Sequence, residues 1–145
     1  MEEDERELPE DYRRIRGSDA SQTFSSILGY SLADYVREDE RPSNRVIVRV
    51  HDEIVVGVIW LELRPDALFV EHLARDEDNS WPGLGSEMLA ALDVIARRLA
   101  RTCIRLEALA EPSLVRWYES NGYEKDGPAV TADGWKLQPM RKELA

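Results

Sequence analysis

Ser80-Trp81-Pro82-Gly83-Leu84-Gly85-Ser86 stands between a run that reads as a strand, Ala67 to Arg75, and one that reads as a long helix, Pro82 to about Ala100. Along that helix Leu84, Met88, Leu92, Ile95 and Leu99 step by four, four, three and four, which puts them on one stripe facing a core. A helix opened by glycines offers free backbone N–H groups and the positive end of the helix dipole, and glycine lets a phosphate come close. The same residues also fit a tight turn capped by Asp78, Asn79 or Ser80. A dinucleotide-binding βαβ unit is the wrong setting, because its Gly-x-Gly-x-x-Gly follows the first strand. Here a meander of strands comes first.

Upstream, Arg45 to Val50 alternates apolar and polar residues, His51-Asp52-Glu53 makes a turn, and Ile54 to Arg64 is a long strand. Pro65-Asp66 turns the chain into the strand that precedes the glycines. Further back, Tyr12 to Arg16 reads as a short strand. Ser18 or Asp19 then caps a helix through about Val36, with a break at Gly29 and Ser31, and Arg37 to Asn44 is a loop. Downstream, Cys103 to Leu109 is a strand and Pro112 to Asn121 a short helix ending at Gly122. Two short strands follow, near Tyr123 to Lys125 and Trp135 to Arg141. This order predicts a mixed α/β fold: a central, mostly antiparallel sheet with helices on both faces.

The 145 residues make one domain, expected over 12–145 behind a solvated, disordered acidic tail over 1–11. Seven acids against Arg6 give that tail −6 of the net −10, so the domain itself carries only −4. Nucleic acid is not an expected partner, because phosphate binding needs a basic footprint. The longest apolar run, Ile54 to Leu61, is far short of the roughly 20 residues of a membrane span. With no basic-then-apolar leader, a cytoplasmic protein without membrane attachment is expected. Cys103 is alone, and His51 and His72 have no metal-ligand spacing, so no metal is expected.

At this point the chain resembles the GCN5-related N-acetyltransferase (GNAT) family, over about Tyr12 to Leu144. The family's phosphate stretch is Gln/Arg-x-x-Gly-x-Gly/Ala, and Ser80-Trp81-Pro82-Gly83-Leu84-Gly85 matches it at both glycines. It departs at Ser80, which replaces a basic or amide side chain, and at Pro82, which lacks an N–H. Leu114-Val115-Arg116-Trp117-Tyr118-Glu119-Ser120-Asn121-Gly122-Tyr123 resembles the family's aromatic-Tyr, three residues, then Gly-Phe or Gly-Tyr. The resemblance implies the acyl-CoA N-acyltransferase fold, acetyl-CoA as co-substrate, an amine acceptor as partner, and a homodimer as one possible state. Cofactor contacts would fall to Trp81, Gly83, Leu84, Gly85 and Ser86. The backbone of Leu73, Ala74 and Arg75 would pair with the cofactor's pantetheine arm as an added strand does. An Asn that often precedes the family's short helix is missing from Ala110-Glu111-Pro112-Ser113.

An amine of pKa about 10.4 is neutral in only a few parts in ten thousand at pH 7, a cost of roughly 4.6 kcal/mol before it can attack a thioester. The site must desolvate or deprotonate it. Glu71 is the candidate base, directly or through water, with His72 beside it on the opposite strand face; either could instead be a solvated or packed strand residue. Tyr118 would protonate the departing thiolate, as the family's matching Tyr does, or else pack on Leu114 one helical turn back. Trp117 reads as core, and Cys103 as a buried strand residue. Two functions are left open: direct acetyl transfer to an amine, and a fold relative that serves as an interaction module with weak or no CoA binding.

Overall fold

The computed structural model describes residues 8–144. Its strands are β1 (Tyr12–Arg14), β2 (Asn44–His51), β3 (Ile54–Leu63), β4 (Leu68–Arg75), β5 (Cys103–Leu109), β6 (Glu124–Lys125), β7 (Val130–Ala132) and β8 (Trp135–Glu143). Its helices are α1 (Leu32–Asp39), α2 (Leu84–Arg98) and α3 (Pro112–Ser120), with a 3₁₀ turn at Gly17–Ser21. They form one sheet in the order β1-β2-β3-β4-β5-β8-β6, with β7 also paired to β8. Every pairing is antiparallel except β4 with β5.

Alternation along the strands divides the apolar residues between two faces. On one, Ile47, Ile59, Leu61, Leu68 and Val70 meet the α2 stripe of Leu84, Met88, Leu92 and Ile95, together with Val115 and Tyr118 of α3. On the other, Val46, Val48 and Val58 are covered by Leu32 and Tyr35 of α1. Helices therefore cover both faces of the sheet, as the element order predicts. Among the described residues no helix is long and apolar enough to cross a membrane.

The first third departs from the expected helix over residues 18–36. Asp19 is drawn back by two 2.8 Å bonds from Arg13 and one of 2.8 Å from the Arg16 N–H, which closes a 3₁₀ turn. The helix proper starts at Ser31, whose hydroxyl accepts from Asp34 N–H while Asp34 accepts from Ser31 N–H, a reciprocal capping box. It runs past Val36 into the expected loop as far as Asp39, whose carboxylate accepts from Arg14 and from the Val46 N–H. The chain end holds a strand absent from the sequence-based expectation, β7. Asp133-Gly134, both at positive φ, join it to β8 in the geometry Asp-Gly hairpins favour. Of the expected acidic tail, residues 1–7 lie outside the described residues. Leu8 packs against the core, and Tyr12 N–H donates to the Pro9 carbonyl.

Leu92 is fully buried at the centre of the α2 stripe. Leu92→Ala is expected to cost about 2–5 kcal/mol and to lower Tm by roughly 5–15 °C. A thermal melt that moved by less than a degree or two would show that α2 does not carry the core.

Candidate active site

The parallel ladder between β4 and β5 is short: Leu68 pairs with Ile104, Phe69 with Arg105 and Val70 with Leu106, and there it stops. Both strands continue, but apart. β4 stays with β3 as far as Arg75 opposite Gly57, and β5 stays with β8 as far as Leu109 opposite Leu137. At the parting point Trp60 faces His72 while Leu61 faces Val70, so Glu71 is an extra, bulged residue. The bulge resets the alternation: Val70 and Leu73, three apart, both meet the α2 face, while His72 and Ala74 turn to the α1 side. The parted strands open a cleft of about 650 Å³.

One wall of the cleft is the start of α2. Gly83 sits at φ 92°, in the left-handed region that glycine tolerates, and ends the turn before the helix. Leu84 N–H is taken by the Trp81 carbonyl (3.2 Å), and the first helical bond runs from Glu87 N–H to the Gly83 carbonyl (3.0 Å). The N–H groups of Gly85 and Ser86 precede that first bond, as the opening donors of any helix do. Both residues line the cleft, as does Gly83. A Cβ on Gly85 would stand 3.0 Å from the Trp117 ring, so glycine there sets how closely α2 meets α3.

Leu84 and Trp81 do not line the cleft. Leu84 is fully buried in the core. Trp81 lies on the far side of its turn, 5.4 Å from the Arg49 guanidinium and 5.0 Å from the His51 ring. Arg49, nearly buried, donates to both carboxylate oxygens of Glu87 (2.7 and 3.2 Å), and Tyr12 donates to the same group at 2.8 Å. This network ties the first turn of α2 to β1 and β2. The Arg49 hydrogen bonds hold the Glu87 carboxyl below its ordinary pKa.

Across the cleft, Tyr118 of α3 is almost buried but reaches the lining, edge-on to Trp117 and Tyr123. Desolvation pushes its hydroxyl up to about 12. Glu71 is exposed at the parting of the strands, and desolvation, then the nearby Glu62 carboxylate, raise its pKa. His72 is half-buried in an aromatic nest, its ring 4.5 Å from Tyr30 and 4.9 Å from Trp60, with Nδ1 3.0 Å from the Tyr35 hydroxyl. Burial lowers its pKa, so the neutral ring is favoured. The expected simple alternation of Glu71 and His72 is broken by the bulge, which inserts Glu71 as an extra residue opposite β3.

Leu73, Ala74 and Arg75 line the cleft along the β4 edge that β5 has left. Sequence reasoning missed other contributors, among them Ile27 and Leu28 ahead of α1, Glu107 and Leu109 at the end of β5, and Glu111 before α3. Only the tertiary fold gathers them. Trp117, expected in the core, packs against the core and lines the cleft as well.

A mostly antiparallel sheet parted between its two parallel strands, with a glycine helix start on one side, is the acyl-CoA N-acyltransferase fold. The family model described as "Acetyltransferase (GNAT) domain" matches residues 10–144, and the chain belongs to that family. Among solved structures, a GNAT family acetyltransferase from Elizabethkingia anophelis with acetyl-CoA bound superposes with TM-score 0.69 at 10% identity, over 94% of this chain and 100% of that one. Ard1 from Thermoplasma volcanium gives 0.72 at 18% identity, over 92% and 97%. An aminoglycoside 6'-acetyltransferase of type Ii gives 0.65 at 22% identity, over 81% and 79%. No curated protein matches the sequence significantly.

Because the folded pKa of Glu87 lies below the unfolded value near 4.3, its stabilisation is complete above that value and is lost as pH falls through the folded one. With the carboxylate partly exposed, Glu87→Gln is expected to cost about 1 kcal/mol at pH 7, roughly 2–4 °C in Tm. The gap between the two proteins should close below about pH 4. A gap unchanged from pH 7 to 3 would mean that the Arg49 pairing contributes nothing.

Proposed function

We propose that the protein transfers the acetyl group of acetyl-CoA to a primary amine by direct attack within a ternary complex. The observation that carries this reading is the parting of β4 and β5. It brings an open backbone edge, two helix-start N–H donors and a buried tyrosine to one cleft. The residues present fit such a co-substrate. Gly85 and Ser86 would donate to the pyrophosphate beside Gly83, where even an added Cβ would meet no atom within 4 Å. The edge of Leu73, Ala74 and Arg75 would pair with the amide-bearing arm. Trp81 and Leu84 hold that turn in place from behind, through Arg49 and through the core.

Bound acetyl-CoA supplies an activated thioester carbonyl. Glu71, directly or through one water, takes the proton of the incoming ammonium, and its raised pKa makes it the stronger base once ionised. The Tyr118 hydroxyl forms no hydrogen bond among the described residues, so its O–H is available to the departing sulfur. A thiol of pKa about 8.5 is a weaker acid-base match than equality would give, since its thiolate is less basic than a tyrosinate near 12, so full proton transfer from Tyr118 is uphill. Its contribution is a hydrogen bond donated as sulfur charge develops; the sulfur departs as thiolate and takes its proton from water after release. Orientation of the two substrates supplies much of the rate.

Acetyl-CoA at 100 times its Kd is expected to raise Tm by roughly 5–10 °C, the equivalent of about 2.7 kcal/mol. No shift at millimolar acetyl-CoA would favour an interaction module instead, a reading motivated by Ser80 and the N–H that Pro82 lacks. Tyr118→Phe should lose roughly 10–100-fold in kcat while keeping the acetyl-CoA melting shift. With Glu71 as base, kcat/KM rises with pH through its raised pKa, and Glu71→Gln should abolish that limb. A Gln variant with the same profile as the parent would remove Glu71 from the reaction.

A further inference from the structure

Six large apolar side chains are left exposed among the described residues: Ile27 (89%), Leu28 (41%), Ile54 (39%), Leu109 (40%), Val130 (42%) and Trp135 (62%). Exposed apolar groups scattered singly need no explanation, but these are not scattered. Ile54 sits at the β2–β3 turn. Ile27, Leu28 and Leu109 line the cleft. The other two continue from Leu109 across the sheet. Leu109 pairs with Leu137, Leu137 pairs with Val130, and Trp135 lies two residues from Leu137 on the same face.

Glu107 lies two residues before Leu109 on that same face, and both it and Glu71 line the cleft. The face is therefore continuous from the carboxylates at the parting point to the apolar hairpin. Among the charged side chains on the cleft wall, Glu71, Glu77, Glu107 and Glu111 are acidic and Arg75 is basic. Arg105 and Arg141, opposite each other, lie further back on the same face, where Arg141 is paired with Glu143.

We infer that the acceptor is a primary ammonium carried on an apolar or aromatic body. Glu71 and Glu107 face the cation, and Ile27, Leu28, Leu109 and Trp135 receive the body. This inference rests on the proposed acetyl transfer and specifies its second substrate. The charge sign alone would suit any amine. The two apolar rims exclude a densely hydrated polycation, which would leave them uncovered and would lose its own water against them. A fit of one or two carbon groups in an apolar pocket is worth about 10–200-fold in kcat/KM.

The test is the rate of thiol release from acetyl-CoA with matched acceptors: 2-phenylethylamine against ethylamine, and a tetrapeptide beginning with Phe against one beginning with Gly. At least a tenfold preference for the aromatic member of either pair is expected, and the pair that shows it tells a free amine from a peptide end. Trp135→Ser and Ile27→Ser alter exposed side chains and should fold normally. Each should cut the aromatic acceptor's kcat/KM by roughly three- to tenfold and leave that of ethylamine and the acetyl-CoA melting shift unchanged. Equal rates within both pairs, or faster transfer to spermidine, would overturn the inference while leaving the acetyl-transfer reading intact. Absence of any acetyl-CoA melting shift would remove that reading itself, and the inference with it. If Trp135→Ser spared every rate but converted a dimer to a monomer in sedimentation, the apolar face would be a contact between copies and the inference would fall.

Discussion

Everything at the site depends on two parallel strands that stop pairing after three residues. A parallel ladder that ran on from Val70 and Leu106 would fill the space with backbone hydrogen bonds and leave no cleft. The extra residue at Glu71 prevents that by turning β4 out of register with its antiparallel neighbour. Unpaired strand edges are a liability, exposing donors and acceptors that any extended chain can complete. Here the liability is confined to a few residues between two strands held on their outer sides, β4 by β3 and β5 by β8. The gap is bounded on both sides by fully paired neighbours. That is the condition for an open edge to select one extended ligand.

The helix α2 serves the core and the cleft at once, and the two demands fall on different residues. Leu84, Met88, Leu92 and Ile95 hold its axis against the sheet. Position along that axis, which decides where the Gly85 and Ser86 donors stand, is controlled from the other side by Glu87, Arg49 and Tyr12. A burial stripe tolerates small slides along a helix, whereas a forked guanidinium on a carboxylate does not. Trp81 adds a flat surface against Arg49 at the turn itself. The residues nearest the donors in sequence thus act from behind them.

Much of this is legible in the chain because it is local. Helix periodicity marks α2, and alternation marks β2 to β5, with Cys103–Leu109 matching to the residue. Pro112 and Gly122 bracket α3. What is not legible depends on contacts distant in sequence. The stretch from Ser18 to Val36 has helical spacing, yet Arg13 captures Asp19 and Ser31 starts the real helix. The bulge at Glu71 has no local signal, because only pairing with Trp60 and Leu61 shows one residue too many. Strict alternation therefore misplaces His72. The Asp133-Gly134 turn is a local signal that the expected pair of short strands overlooks, and with it go β7 and the apolar row that continues from Leu109. Ile27 and Leu28 have the spacing of buried helix positions, but no helix forms over them and they line the cleft instead.

The cleft is polar in the electrical sense. At one end stand the N–H groups of a helix start, a positive partial charge that suits phosphate. At the other stand Glu71 and Glu107, where the strands part and β5 ends. Tyr118 lies on the wall with them, nearly buried, its proton held by desolvation. Under the proposed acetyl transfer, such a gradient would order two substrates of opposite charge without a specific contact to each, an anionic carrier at the helix and a cation at the carboxylates. Neither end needs a strong site, because in a partly desolvated cleft each charge is also repelled by the wrong end. Under the same reading, the absence of a basic residue at position 80 would weaken one anchor without erasing the polarity. What it would remove is local grip on phosphate, and more of the carrier's orientation would pass to the open backbone edge of Leu73 to Arg75, whose donors and acceptors do not depend on side-chain identity.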